Sequence, residues 1–425
     1  MFITVIALGL SGDVHPLTAL ARGLHEAGHT VRVATHRAWQ TEVTQAGLEF
    51  ADLPPGNVHQ VVTDPAFLEV LEASRRPDRM FAAVRSATRS LGGRVQQTPT
   101  GRMRSLLNLA RSYDEALVTD VWAASEGSDA LVYGAPMAFH GYYAARARGI
   151  PSAAALIQPI DYQGGGGRRF VKEQVIWQIF RESIARWQRK EGQPVAPLRG
   201  PFPQWRQAGL PVVYGISPAV LPRPGHWAAQ QQLAGYWFLD SAPDSSLPAR
   251  VRDFLAAGPA PVYVTFGSMA TRQPEQLTEL VMSAIRETGD RAILATGWGG
   301  LSGTDSTDTV LCVDELPLDL VFPHVRAVVH HGGVMITAEG LRAGRPTVVI
   351  PSVLDQFDWG KRIAALGVGP DPVPRTQLTA AKLAAALAAT RDPRLVGAAA
   401  ELGARIRAER GVQHAVTALD QAFGA

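Results

Sequence analysis

The strongest constraint on the fold is a strand–helix–strand unit that occurs once near the start of the chain and again past its middle. Ile3–Leu8 is an apolar run rich in β-branched residues, and the glycine-bearing loop Gly9–His15 follows it. Pro16 suits the first turn of a helix whose Leu17, Leu20, Ala21 and Leu24 share one face, and Gly28 ends it. Val31–Thr35 is the next strand. Such a unit needs a crossover, and so a parallel sheet covered on both faces. Ala130–Tyr133 and Ser152–Leu156 extend this first set. The pattern restarts at Pro261–Phe266, with Pro274 opening a helix, and continues through Ala292–Ala295, Val310–Val313, Ala327–His330 and Thr347–Ile350. The expected fold class is α/β with two doubly wound halves. Asp240–Pro248, rich in Ser, Asp and Pro, reads as the linker between them. The division expected is 1–239, a linker at 240–250, 251–405, and a last helix at 406–425 that packs back on the first half.

A length of 425 residues fits two domains, and 46% apolar residues supply a core for each. The single cysteine, Cys312, excludes an internal disulfide framework and fits a reducing, cytoplasmic setting. Phe2–Leu10 is too short to span a bilayer and reads as a buried strand. Residues 1–240 hold 24 Lys/Arg against 19 Asp/Glu, with the excess at Arg75, Arg76, Arg79, Arg85, Arg89, Arg94, Arg102 and Arg104 and at Arg168, Arg169 and Lys172. These read first as solvated helix faces, and second as a face toward an acidic acceptor or a peripheral anionic membrane contact. No aromatics interleave with them, so nucleic acid is not an expected partner. Gly164–Gly167 reads as a loop.

Sheets of this kind bind ligands beyond the carboxyl ends of their strands. Two stretches stand there. In Gly9–Pro16, Asp13 lies just ahead of a helix, where capping competes with a role as general base. His15 is a rival base, but it precedes Pro16, which favours a structural role. In His330–Pro346, Gly332 and Gly333 let the backbone approach a ligand, and the next helix points its positive end there. The turn Thr265–Met269 adds Gly267 and Ser268, and two such turns suit a diphosphate. The chain has no D-x-D pair, so no metal is expected, and charge neutralisation falls to helix N–H groups, Ser268 and His331. Asp355 and Gln356 form a pair suited to sugar hydroxyls, or a plain helix start. A dinucleotide site fits poorly, since the first loop is G-x-x-G and no acid ends the second strand, although Arg32 or Arg37 suits a 2′-phosphate. Phe170, Trp177, Phe180 and Trp187 form an apolar helix face, read as core or as the wall of an acceptor pocket.

Together these stretches resemble the inverting nucleotide-sugar glycosyltransferases of the two-domain GT-B fold, and in particular the bacterial sterol-glucosyltransferase-like and antibiotic glycosyltransferases. "GLSGDVHPLTALARGLHEAGHTVRVATH", "VYGISPAVLPRPGHW", "GYWFLD", "FGS" and "HHGG…AEGLRAGRPTVVIP…DQ" carry the likeness over nearly the whole chain. It implies two Rossmann-like domains facing across a cleft, and sugar transfer from a UDP- or TDP-sugar to an apolar acceptor (natural product, sterol or polyphenol) with no cofactor. The resemblance puts the catalytic base at Asp13, with Gly12 beside it. It puts the diphosphate near Ser268, His331, Gly333 and Thr337, the ribose at Glu339, the nucleobase at Val313, and the sugar at Asp355 and Gln356. It raises Phe139, Tyr142, Trp177 and Phe180 as acceptor-binding residues, with His140 and Tyr143 near them. The oligomeric expectation is a monomer or homodimer. Where the family carries small or hydroxyl residues this chain has Val334, Met335 and Ile336, and the expectation is weaker diphosphate binding through backbone donors. Ser11 replaces the usual arginine. The alternatives are a non-catalytic helper of the same fold and, less favoured, an NADP-dependent oxidoreductase.

Overall fold

The computed structural model of the protein describes residues 1–53, 113–160, 167–267, 273–297, 301–303, 306–353 and 355–424. These form two units, one holding the described residues up to Leu239 together with the segment from Glu409 on, the other holding Asp240–Ala408.

The first unit is built on seven parallel strands: β1 (Phe2–Ile6), β2 (Thr30–Thr35), β3 (Glu49–Asp52), β4 (Ala130–Tyr133), β5 (Ser152–Leu156), β6 (Val212–Tyr214) and β7 (Gln231–Leu233). Their order is β3-β2-β1-β4-β5-β6-β7, so the winding reverses between β1 and β4. Ile3 sits between Val31 and Ala130 in register, and Ile3, Val5, Ile6 and Val33 are fully buried, as a two-sided parallel strand requires. The apolar run expected to be strand through Leu10 leaves the sheet at Ile6, because Gly9 turns the backbone with φ 138°. The first helix spans Ser11–Glu26, so it begins five residues before Pro16. Pro16 lies inside it and removes only the N–H that would reach the Gly12 carbonyl, near an end where such bonds are already incomplete.

The second unit has five parallel strands, β8 (Val262–Thr265), β9 (Ala292–Ala295), β10 (Val310–Val313), β11 (Ala327–His330) and β12 (Thr347–Val349), ordered β10-β9-β8-β11-β12. The period of two sorts its core. Val262, Val264, Ala292 and Leu294 face one cluster with Leu277, Val281 and Leu387 of the flanking helices. Tyr263, Ile293 and Ala295 face the other, with Val251, Phe322 and Ile336.

The boundary between the unit ending at Ala408 and the returning segment falls after Ala408, not after residue 405, because the helix Pro393–Ala408 runs unbroken. The helix Gly411–Phe423 then packs on Ser11–Glu26 of the first unit. A Cβ on Gly23 would fall 2.1 Å from Val412, and His29 Nε2 lies 3.0 Å from Asp420 Oδ1. Asp240–Pro248 has no regular helix or strand and belongs to the second unit. Among the described residues no helix is long and apolar enough to cross a membrane. The arginines between Arg75 and Arg104, and Gly164–Gly166, lie outside the described residues, as do the side chains of Arg168, Arg169, Phe170 and Lys172.

Candidate functional site

In the first unit the candidate site residue is Asp13. It stands in the first turn of the Ser11–Glu26 helix, not ahead of it, because the helix starts on Ser11 with Leu10 as its N-cap. From there its Oδ2 accepts the Leu10 N–H at 3.2 Å, while the Asp13 N–H donates to the Leu10 carbonyl at 2.8 Å. Capping is therefore real, and it uses one carboxylate oxygen. Gly9 makes room for it: φ is 138°, and a Cβ there would lie 2.3 Å from Asp13 Oδ2. The second oxygen, Oδ1, accepts from Gln158 Nε2 at 3.3 Å. Gly12, beside Asp13, leaves open space, with nothing within 4 Å of a Cβ. His15 packs edge-on against Trp39, 5.3 Å between ring centroids, and burial holds its pKa below the ordinary value.

In the second unit the winding reverses between β8 and β11, and the turns after those two strands meet. A Cβ on Gly267 would lie 3.2 Å from His331 Cε1, and one on Gly333 would lie 2.5 Å from His331 Nε2. The imidazole of His331 thus lies between two bare glycine backbones. Burial lowers its pKa to about 4, so it is neutral at physiological pH and presents one N–H and one lone pair. His330 is fully buried and also held neutral by burial, and its Nδ1 accepts the Gly332 N–H at 2.8 Å. That bond assigns the proton to Nε2. Gly332 itself has φ 91° and sits against Val349 and the start of the Gln356–Ala365 helix.

The helix Val334–Arg342 begins on Gly333 with no side-chain cap, and its first intrahelical donor is Thr337 N–H, to the Gly333 carbonyl at 3.0 Å. The N–H groups of Val334, Met335 and Ile336 precede that bond and have no intrahelical acceptor. His330 Nε2, His331 Nδ1 and Thr337 Oγ1 are buried without a hydrogen-bond partner among the described residues. Ile336 is 9% exposed and packs into the cluster with Tyr263, Ile293 and Phe322, so its bulk faces the core.

Asp355 stands at the start of the next helix without a side-chain cap bond, and its Oδ2 accepts from Trp359 Nε1 at 3.1 Å. Burial raises its pKa. Gln356 Oε1 accepts the N–H groups of Ser352 and Val353 at 2.9 and 3.1 Å, which fixes the loop after β12. Glu339 is buried beneath the turn, with Oε2 2.8 Å from Arg342 Nη2. Burial outweighs that partner and lifts its pKa to about 7, with Asp240 and Asp319 adding to the rise. Val313 is buried at the end of β10, and its carbonyl already accepts the Thr296 N–H at 3.0 Å. Ser268 lies outside the described residues.

Phe139, Tyr142, Trp177 and Phe180 come together, but around one another. Phe139 lies 5.4 Å from Trp177, 5.5 Å from Phe180 and 5.6 Å from Trp205 between ring centroids, and Tyr142 lies edge-on to Trp205 at 5.4 Å. Trp177 is 0% exposed. This is a packed aromatic cluster of the first unit, in keeping with the core reading of that helix face. His140 adds a buried bond to it, Nε2 to Asp114 Oδ1 at 2.8 Å. The arginines considered for a 2′-phosphate are engaged elsewhere, Arg32 with Glu49 at 2.7 Å and Arg37 with Asp52 at 2.5 Å. Two residues were missed from the sequence. Gln158 is an isolated amide 145 positions from Asp13, and Arg342, the partner of Glu339, reads as an ordinary last-turn cation. Among the described residues no group of three His, Cys, Asp or Glu side chains is placed to hold a metal ion.

The comparisons with known proteins agree with this geometry. Residues 3–98 match the glycosyltransferase family 28 N-terminal domain, and residues 281–419 match the C-terminal domain of erythromycin biosynthesis protein CIII-like proteins. Two sterol 3-beta-glucosyltransferases of Arabidopsis thaliana are similar over 98% of this chain: UGT80A2 at 31% identity, covering 65% of that protein, and UGT80B1 at 30%, covering 67%. A sterol 3-beta-glucosyltransferase of Yarrowia lipolytica is 29% identical over 99% of this chain, which spans 28% of that protein. The chain thus spans about two thirds of its plant relatives and under a third of the fungal one. Among solved structures, the glycosyltransferase of kitacinnamycin has a TM-score of 0.72 at 17% identity, with 99% of both chains covered. SsfS6 of Streptomyces sp. SF2575, complexed with thymidine diphosphate, has a TM-score of 0.61 at 22% identity, again with 99% of both chains covered. With its two parallel-sheet units and these relatives, the chain belongs to the glycosyltransferase family of the sterol 3-beta-glucosyltransferases and has the GT-B fold.

Proposed function

We propose that the protein moves a sugar from a UDP- or TDP-sugar to a hydroxyl of an apolar small molecule, with inversion and without a divalent metal. The observation that carries this reading is the turn after β11. Three buried polar atoms without partners among the described residues, His330 Nε2, His331 Nδ1 and Thr337 Oγ1, surround an uncapped helix start. Each such atom costs about 1–3 kcal/mol when left unpaired. Three of them beside free helical N–H groups suit an anionic ligand with many acceptor oxygens, such as a diphosphate. The names of the relatives support a sterol-like acceptor, and the thymidine diphosphate complex of a structural neighbour supports the donor class.

In the reaction proposed, Asp13 accepts the proton of the acceptor hydroxyl. The hydroxyl oxygen bonds to the anomeric carbon as the bond from that carbon to the diphosphate oxygen breaks. One displacement inverts the centre. The leaving nucleoside diphosphate gains negative charge, which the helix start at Val334–Ile336 and neutral His331 stabilise through N–H donors. Asp355 and Gln356 serve the sugar hydroxyls, and Glu339 the ribose. A thermal-shift series with UDP, TDP and NADP tests the donor class. A rise with UDP or TDP and none with NADP is expected, since a ligand of the native state stabilises it by mass action. No shift with either diphosphate would refute the reading. Transfer rates should survive dialysis against EDTA, and a rate restored only by magnesium or manganese would remove the metal-free clause.

A further inference from the structure

We infer that Gln158 is a positioning residue for Asp13, holding the carboxylate in the orientation that proton transfer requires. The inference rests on the reading of Asp13 as general base. Gln158 follows β5 by two residues, at the sheet end where the loop after β1 also emerges. Its Nε2 donates to Asp13 Oδ1 at 3.3 Å. The opposite amide orientation would set oxygen against carboxylate oxygen, so the chemistry selects this one. Oδ2 is held by the Leu10 N–H at 3.2 Å. The two oxygens are therefore fixed from two directions, one by the cap of their own helix and one by a different strand.

The support behind Gln158 is rigid. Ile157 is buried at 4% exposure, and the Gln158 carbonyl accepts the Ile160 N–H at 2.8 Å. The Ile160 carbonyl accepts from Tyr214 Oη at 2.9 Å, and that oxygen accepts from Gln231 Nε2 at 3.0 Å. A chain of bonds through β6 and β7 thus locks the segment that carries the amide. Gln158 Oε1 is buried and has no partner among the described residues. An amide kept for packing would satisfy both ends. Here one end grips Asp13, and the other stays open for a donor, such as a hydroxyl hydrogen, that the bound acceptor brings.

The test compares Gln158→Leu and Gln158→Glu with Asp13→Asn in the full-length chain, measuring kcat, KM for the donor, the pH profile and the melting temperature. Gln158→Leu removes the donor at similar volume. It should lower kcat about tenfold or more, leave donor KM unchanged, and move the acid limb of kcat/KM to higher pH, because a donated hydrogen bond favours the charged form of a carboxylate. Gln158→Glu sets a second carboxylate against the first and should lose more. If Gln158→Leu melts early, Gln158→Glu, nearly the same shape, decides between folding and positioning. Wild-type kcat and an unmoved acid limb in Gln158→Glu would overturn the inference. Near-wild-type turnover in Asp13→Asn would instead overturn the reading of the base, so the two failures are distinguishable.

Discussion

The loop after β1 and the turn after β11 flank the point where the winding reverses, on opposite sides of it in two sheets of the same kind of strand order, and they are finished in opposite ways. In the first unit a carboxylate in the opening turn of the helix accepts the N-cap N–H, so the helix start answers its own electrostatic demand. In the second unit the helix starts on Gly333 without a side-chain cap, and His330 Nε2, His331 Nδ1 and Thr337 Oγ1 have no partner among the described residues. The lesson is that the two sides of a winding reversal can be finished for two chemistries. On the proposed reading, a negative charge supplied from inside the chain suits a site that handles a proton, and a helix start left without one suits an external anion.

The largest expected effect breaks the first half of this comparison. Asp13→Asn keeps an oxygen for the Leu10 N–H and so keeps the cap, but it should lower turnover on the order of 100-fold or more with diphosphate affinity nearly intact. Asp13→Ala should show the same loss and also about 1 kcal/mol of instability from the lost cap. Equal turnover in Asp13→Asn and wild type would leave Asp13 as a cap alone. Next comes Ile336→Thr. Because Ile336 belongs to the core, the new hydroxyl would be buried unpaired, and a loss of about 2 kcal/mol in chemical denaturation is expected with calorimetric UDP affinity unchanged. Tighter UDP binding at constant stability would return Ile336 to the ligand side. Gly333→Ala should displace the His331 ring and weaken UDP binding about tenfold, equivalent to about 1.4 kcal/mol.

The smallest effect concerns pH. His331 has its pKa lowered from 6.5 to about 4, so the unfolded chain binds more protons in that interval and the histidine's contribution is lost as pH falls through it. His330 acts in the same direction. Glu339, raised from 4.5 to about 7, acts oppositely: its contribution is full below about pH 4.5 and disappears as pH rises to about 7. Between pH 4.5 and 6.5 Glu339 offsets one of the two histidines, which leaves a net rise of stability with pH. Melting curves of Glu339→Gln should therefore rise with pH more steeply than those of the wild type across this window, and those of His331→Gln less steeply. Parallel curves for both variants would show that neither group titrates as the geometry implies.

Strands whose burial is two-sided were legible in the sequence because nothing but packing shapes them: Ala130–Tyr133, Ala292–Ala295, Val310–Val313 and Ala327–His330 are apolar throughout or nearly so. β3, β6 and β7 were not. Glu49–Asp52 has charged ends, and Gln231–Leu233 is three residues whose strand character comes from pairing with β6. The helix start at Ser11 was masked by poor helix formers, Ser-Gly-Asp, ahead of a conspicuous proline. At the site, the glycines and histidines of the second unit announce themselves by type and spacing. The direction of Ile336, the closed aromatic cluster around Phe139 and the grip of Gln158 on Asp13 depend on contacts between distant segments, and no local pattern encodes them.

The helix Gly411–Phe423 has one more consequence. During synthesis on the ribosome, the surface of Ser11–Glu26 around Gly23 is made well before its cover, with Val412. The first unit therefore waits for the whole of Asp240–Ala408 to be translated before it can close, and the second, contiguous among the described residues, has no such delay. A nascent chain of this protein should become protease-resistant in its later-made half before its earlier one.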